Sequence, residues 1–251
     1  MENYATAQQV FTGGLIFARL GAIVMLIPGI GEAMVSPRIR LALAFVMTLA
    51  LFPVLSAGAP ATPGSVGELA GMVIKEALIG LMIGGVLRLF MASLATAGEI
   101  VSLQTTLSFA QTANPSQAQP STTLGTFLSL IGVVLIMTSD LHHLFISAMV
   151  RSYAIFPFHR TAPAGDAATL AIQTVGRSFA LGVQLAAPVM VFALIFNIAT
   201  GLVGRVMPQF QVFFVATPLM VLTSLSVFAI SLGAIGMVWV DRYHDLLTVF
   251  G

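Results

Sequence analysis

Long, nearly uninterrupted apolar stretches constrain this 251-residue chain more than any other feature. Six stand out, at about 10–30, 40–57, 69–92, 124–150, 177–203 and 211–240. Several reach the roughly 20 residues a helix needs to cross hydrocarbon, and they exceed the roughly 10–14 of a buried core helix. Water offers no way to hide them: 58% of the residues are hydrophobic and 8% charged, where a soluble domain carries about 25% charged. The expected fold class is an all-α membrane protein, a multi-helix bundle.

The joints between the stretches carry helix breakers. Gly29, Gly31 and Pro37 separate the first two, and Pro53, Gly58, Pro60, Pro63 and Gly64 the second from the third. Pro157 and Pro163 precede the fifth. No gap holds a soluble domain. The turn GRVMPQFQ sets Gly204 after the fifth stretch and Pro208 before the sixth, so these two are expected to form an antiparallel hairpin, with Pro188 and Pro218 bending its arms. The N-terminal MENYATAQQV lacks a basic region and an evident small-residue cleavage site, and is read as mature sequence.

Between Ser93 and Thr123 the chain changes character. It reads SLATAGEIVSLQTTLSFAQTANPSQAQPSTT, with a narrow stripe of Ile100, Leu103, Leu107 and Ala110 at helical spacing. Its second half, from Thr112, holds two prolines, Asn114 and several hydroxyls, and no charge. Such backbone sits at membrane depth only where protein or water satisfies it. The basic residues favour that depth. If the segment from Ser93 crosses and the N-terminus lies outside, Arg38, Arg40, Arg88, Arg151, Arg160, Arg177 and Arg242 all fall inside, and Arg205 is the exception.

Net charge excludes one class of partner. At +1, with no run of Lys and Arg, the chain has no phosphate-binding stripe and nucleic acid is not expected. Absence of Cys removes thiolate chemistry, and neither a P-loop nor a G-x-S-x-G elbow occurs, so an enzyme is not expected. Asp140, His142 and His143 invite a metal, but adjacent histidines project about 100° apart on a helix. They are read as a helix-end or interface cluster, and no cofactor or metal is expected.

Charges inside apolar helices cost about 2.5–3.5 kcal/mol each even on a lenient insertion scale. Arg19, Lys75, Glu76, Arg88 and Glu99 therefore need partners or water, and contacts between helices or subunits are expected rather than a proton relay. Lys75 and Glu76 are neighbours, about 100° apart, so at least one is expected to reach another helix. Gly80, Gly84, Gly85, Gly201 and Gly204 are expected to let helices approach closely.

Two stretches carry a family resemblance: TAGEIVSLQTTLSFAQTANP at 96–115 and NIATGLVGRVMPQFQVFFVATPL at 197–219. Their patterns, TAGE-x-x-x-LQ-x-x-LSFA-x-x-x-x-P and N-x-A-x-G-L-x-x-R-x-x-P-Q-x-x-x-F, resemble the FliR family of flagellar type III export-gate proteins, to which injectisome proteins are similar. The resemblance implies a FliP-like part over 1–176 and a FliQ-like helical hairpin over 177–251. It implies a core subunit of the export gate in the bacterial inner membrane, at the flagellar basal body. The implied partners are FliP, FliQ, FlhB, membrane lipid and the unfolded flagellar proteins that pass.

A family loop that helps plug the closed pore would fall here on Phe109, Gln111, Asn114, Pro115, Gln117, Gln119 and Pro120, with Phe109 either a cap or an ordinary packing residue. Gln104 and Gln111 would support it by hydrogen bonds. Asn197, Arg205 and Gln209, from the second pattern, join the residues expected to make polar contacts between helices or subunits. The rival reading is a self-contained secondary transporter for a small solute. Such a protein usually shows paired broken helices in internal repeats, and the sequence has one polar break without a second.

Overall fold

The computed structural model describes residues 6–32, 35–107, 122–159, 164–207, 209 and 211–249. Among these residues the chain forms α1 (Ala7–Leu26), α2 (Pro37–Leu55), α3 (Val66–Gln104), α4 (Thr123–Thr138), α5 (Leu141–Ile155), α6 (Ala164–Val206) and α7 (Val212–Val249), and no strand. Five helical segments are long and apolar enough to span a membrane: Ala7–Leu26, Pro37–Gly58, Val66–Gln104, Thr169–Val206 and Phe214–Leu247. The protein is an all-α membrane protein.

Four boundaries differ from the sequence expectation, each for a local reason. Pro53 does not end the second helix. It lies inside α2, which runs to Leu55 before a short 3-10 turn at Ser56–Gly58. The stretch 124–150 is two helices, broken at Ser139–Asp140, where Asp140 takes a left-handed backbone with φ 56° and so cannot continue α4. The fifth helix begins earlier, at Ala164.

The fourth difference is the largest. The polar segment does not start a new element at Ser93, because α3 continues unbroken to Gln104. At 39 residues α3 is about 58 Å long, roughly twice the hydrocarbon thickness. Its apolar stripe is also not the one expected. Leu103 is 64% exposed, and the buried positions are Ser93, Leu94, Ala97, Gly98, Val101, Ser102 and Thr105. Small residues share that face with Leu94 and Val101, and at Gly98 it packs where backbones approach.

The chain folds into two compact units. The first comprises residues 1–90, 140–175 and 244–251. Thr6 opens α1 with a capping box: its hydroxyl accepts from the Gln9 amide, and the Gln9 side chain accepts from the Thr6 amide. The buried stripe of α1 is Leu15, Ile16, Arg19, Leu20, Ile23 and Val24. α2 meets α1 through an edge-to-face pair of Phe17 and Phe45, ring centroids 6.4 Å apart. α3 comes close because Gly80 and Gly84 have no side chain; a Cβ at Gly84 would lie 2.8 Å from Leu26 Cβ. Gly85, Gly201 and Gly204 have no such neighbour among the described residues.

The second unit comprises residues 91–139 and 176–243. Its core repeats at helical spacing: Leu181, Leu185, Val189 and Ala193 on α6, and Met220, Ser224, Phe228, Ile235, Trp239 and Tyr243 on α7. α6 and α7 run through Pro188 and Pro218 as continuous helices. On their other faces large apolar groups stand outward, Phe214 at 78% and Ile230 at 85% exposure. Side chains of that size belong against lipid or another chain.

Candidate functional site

Arg19 is fully buried on α1, yet all its charge is answered. Its Nε donates to Glu76 Oε2 on α3 at 2.7 Å, an ion pair whose side chains are 0% and 1% exposed. Nη1 donates to the Ser152 carbonyl at 3.0 Å and Nη2 to the Phe156 carbonyl at 2.8 Å. The guanidinium lies 3.9 Å from the centre of the Tyr153 ring and 5.8 Å from that of Phe158.

Lys75 completes the cluster. Its ammonium donates to the Phe158 carbonyl and stands 3.8 Å from Glu76 Oε1. The last carbonyls of a helix carry the negative end of the dipole, and here the Ser152 carbonyl accepts from both the Phe156 amide and Arg19. Two cations from α1 and α3 therefore hold the C-terminal end of α5, and the cluster is a fixed three-helix tie within the first unit. Sequence reasoning missed Ser152, Tyr153, Phe156 and Phe158, since carbonyl acceptors leave no residue-type signal.

A second arginine pair sits at the α1–α2 turn. Arg40 donates to the Val35 carbonyl at 2.9 and 3.1 Å and to the Gly31 carbonyl at 3.4 Å. The largely exposed Arg88 also reaches the Gly31 carbonyl, at 3.3 Å.

In the second unit the helices bounding the polar segment touch. A Cβ at Gly98 on α3 would lie 2.5 Å from the Gly125 backbone on α4, so only glycine permits the crossing. α3 then ends at Gln104, and two residues on Thr106 is left-handed at φ 62°. α4 begins under a cap in which the Thr122 hydroxyl accepts from the Gly125 amide at 3.1 Å. Gln104 and Thr122, at the ends of the two helices, thus lie just beyond a glycine crossing. Glu99 is half-buried beside it, 3.6 Å at Cγ from where a Gly125 Cβ would lie.

Ser93 ties three helices in this unit. Its hydroxyl accepts from Trp239 Nε1 on α7 at 3.1 Å, and its carbonyl faces Gly182 on α6, where a Cβ would approach to 2.9 Å. The sole tryptophan of the chain offered one hint of this: a buried indole N–H needs an acceptor.

The remaining expected residues are dispersed. Gln104 is half-buried at the end of α3, and Asn197, Arg205 and Gln209 are exposed along and after α6. Phe109, Gln111, Asn114, Pro115, Gln117, Gln119 and Pro120 lie outside the described residues.

Residues 10–246 match the family model described as bacterial export proteins, family 1. A flagellar biosynthetic protein FliR of Caulobacter vibrioides is 60% identical over 250 residues, covering all of both chains. The chain belongs to the FliR family of bacterial export proteins. Flagellar biosynthetic proteins FliR are 28% identical in Aquifex aeolicus, over 100% of this chain and 96% of that one, and 30% identical in Escherichia coli, over 84% and 80%. This FliR-family chain has a role in flagellar protein export, works with an export apparatus and resides in a membrane.

Proposed function

We propose that this chain is a core, non-enzymatic subunit of the flagellar type III export gate, which forms with FliP and FliQ the channel that passes unfolded flagellar proteins across the inner membrane. FlhB is a further contact. The observation that carries the reading is the full-length 60% identity to a FliR protein. The physical support is the apolar surface left open along α6 and α7, Phe214 and Ile230 included, which suits a helix that packs against neighbouring chains as well as lipid.

Residues 177–251 serve as the FliQ-like part and 1–176 as the FliP-like part of this subunit. The uncharged segment around Phe109–Pro120 helps close the pore. Support comes from the sequence: absence of charge from 112 to 123 removes any counter-ion that would attract leak ions.

The test is co-expression with FliP and FliQ, extraction in mild detergent and native mass spectrometry. A stable hetero-oligomer containing this chain is expected. Removal of residues 110–120 is then expected to let ions leak across the membrane of cells carrying the complex. A monomer or homodimer that ignores both partners refutes the assembly and favours the solute transporter, while a complex that stays ion-tight after the deletion refutes the plug.

A further inference from the structure

Asp140, His142 and His143 lie at the start of α5, within the first unit. Each offers one ligand atom, and these atoms all lie within 4.8 Å of one another. Adjacent helical histidines were expected to diverge, yet their ring centroids are 4.1 Å apart at an interplanar angle of 37°. An N-cap carboxylate ordinarily accepts from the first-turn amides, but here the Asp140 side chain makes no cap hydrogen bond. Its Oδ1 lies instead 3.6 Å from His143 Nδ1 and 4.0 Å from His142 Nε2.

Ligand atoms about 2.0–2.2 Å from a tetrahedral ion sit about 3.4 Å from one another. The observed separations reach that by small side-chain rotations. We propose that Asp140, His142 and His143 bind a divalent transition ion of the zinc class. Two imidazoles and a carboxylate are the ligand set such ions prefer.

A second feature points the same way. His142 Nδ1 is buried without a hydrogen-bond partner, so that ring is not held by hydrogen bonding at this nitrogen and can turn to present a ligand atom. The Asp140 and His143 side chains are 78% and 69% exposed, which gives an ion an entry path. It also leaves a fourth position for water or a side chain of another protein. Binding would clamp the first turn of α5 to its N-cap.

The full chain, purified in detergent without a histidine tag, treated with EDTA and desalted, is titrated with Co2+ while the visible d–d absorption is recorded, followed by Zn2+. One Co2+ per chain, displaced by Zn2+, is expected. The signal should disappear in Asp140→Asn and in His143→Gln, both exposed and both checked by circular dichroism, and persist in His244→Gln. Absence of saturable absorption in the native chain, or absorption unchanged in both variants, overturns the site.

Discussion

Removing Arg19 tests the reasoning about the three-helix tie most directly. Arg19→Met keeps an unbranched side chain but leaves the 1%-exposed Glu76 carboxylate with Lys75, 3.8 Å away, as its remaining cation, and removes the donor from the Phe156 carbonyl, while the Ser152 carbonyl keeps the Phe156 amide. Breaking a buried pair from one side costs about 3–5 kcal/mol, most of it the orphaned charge. Because both groups are buried, solvent screening gives little relief. In the double variant Arg19→Met/Glu76→Leu no charge is orphaned, and only the two carbonyl bonds stay lost.

The double variant should therefore be no worse than Arg19→Met alone, and better than the sum of the two single variants by at least about 1 kcal/mol. Equilibrium unfolding of the purified chain by SDS titration in mixed micelles, read by circular dichroism, measures all three. Strict additivity would refute the coupling, and an Arg19→Met effect below about 1 kcal/mol would refute the burial argument altogether.

Gly98→Ala should cost about 1–3 kcal/mol by overpacking the α3–α4 crossing, whereas Gly85→Ala, with open space around it, should be neutral or stabilising in the same titration. Trp239, fully buried and hydrogen-bonded to Ser93, should fluoresce at short wavelength and resist iodide quenching, and Ser93→Ala should cost about 1–3 kcal/mol by stranding its N–H. Thr106→Gly should stabilise the chain by about 1 kcal/mol, because a β-branched residue at φ 62° is strained; unchanged unfolding would contradict that strain.

Much of the fold was legible because hydrocarbon imposes a simple rule: every spanning backbone must satisfy itself, and helices of about 20 apolar residues do so. The stretches at 10–30, 40–57 and 211–240 needed nothing more. The breaks were less legible. Pro53 looked like a terminus but lies inside α2, and nothing in the residue types between 124 and 150 marked Ser139–Asp140 as the turning point. Leu103 looked like the core-facing residue of its segment, yet Leu94, Ala97 and Val101 face the core there, on the side where the backbones approach at Gly98 and Gly125.

The sequence by itself determined the solvent, the helical class, the absence of phosphate-binding charge and, through two patterned stretches, the family. It also required that Arg19 and Glu76 find partners, since an apolar helix cannot carry a bare charge. Tertiary structure alone decided which partners: that Arg19 meets Glu76 across 57 positions and the end of α5 across more than 130. It likewise decided that Ser93 meets Trp239 and that Asp140 turns towards two histidines. Such pairings are set by helix crossings and by single left-handed residues, which depend on the whole packing and leave no local periodicity to read.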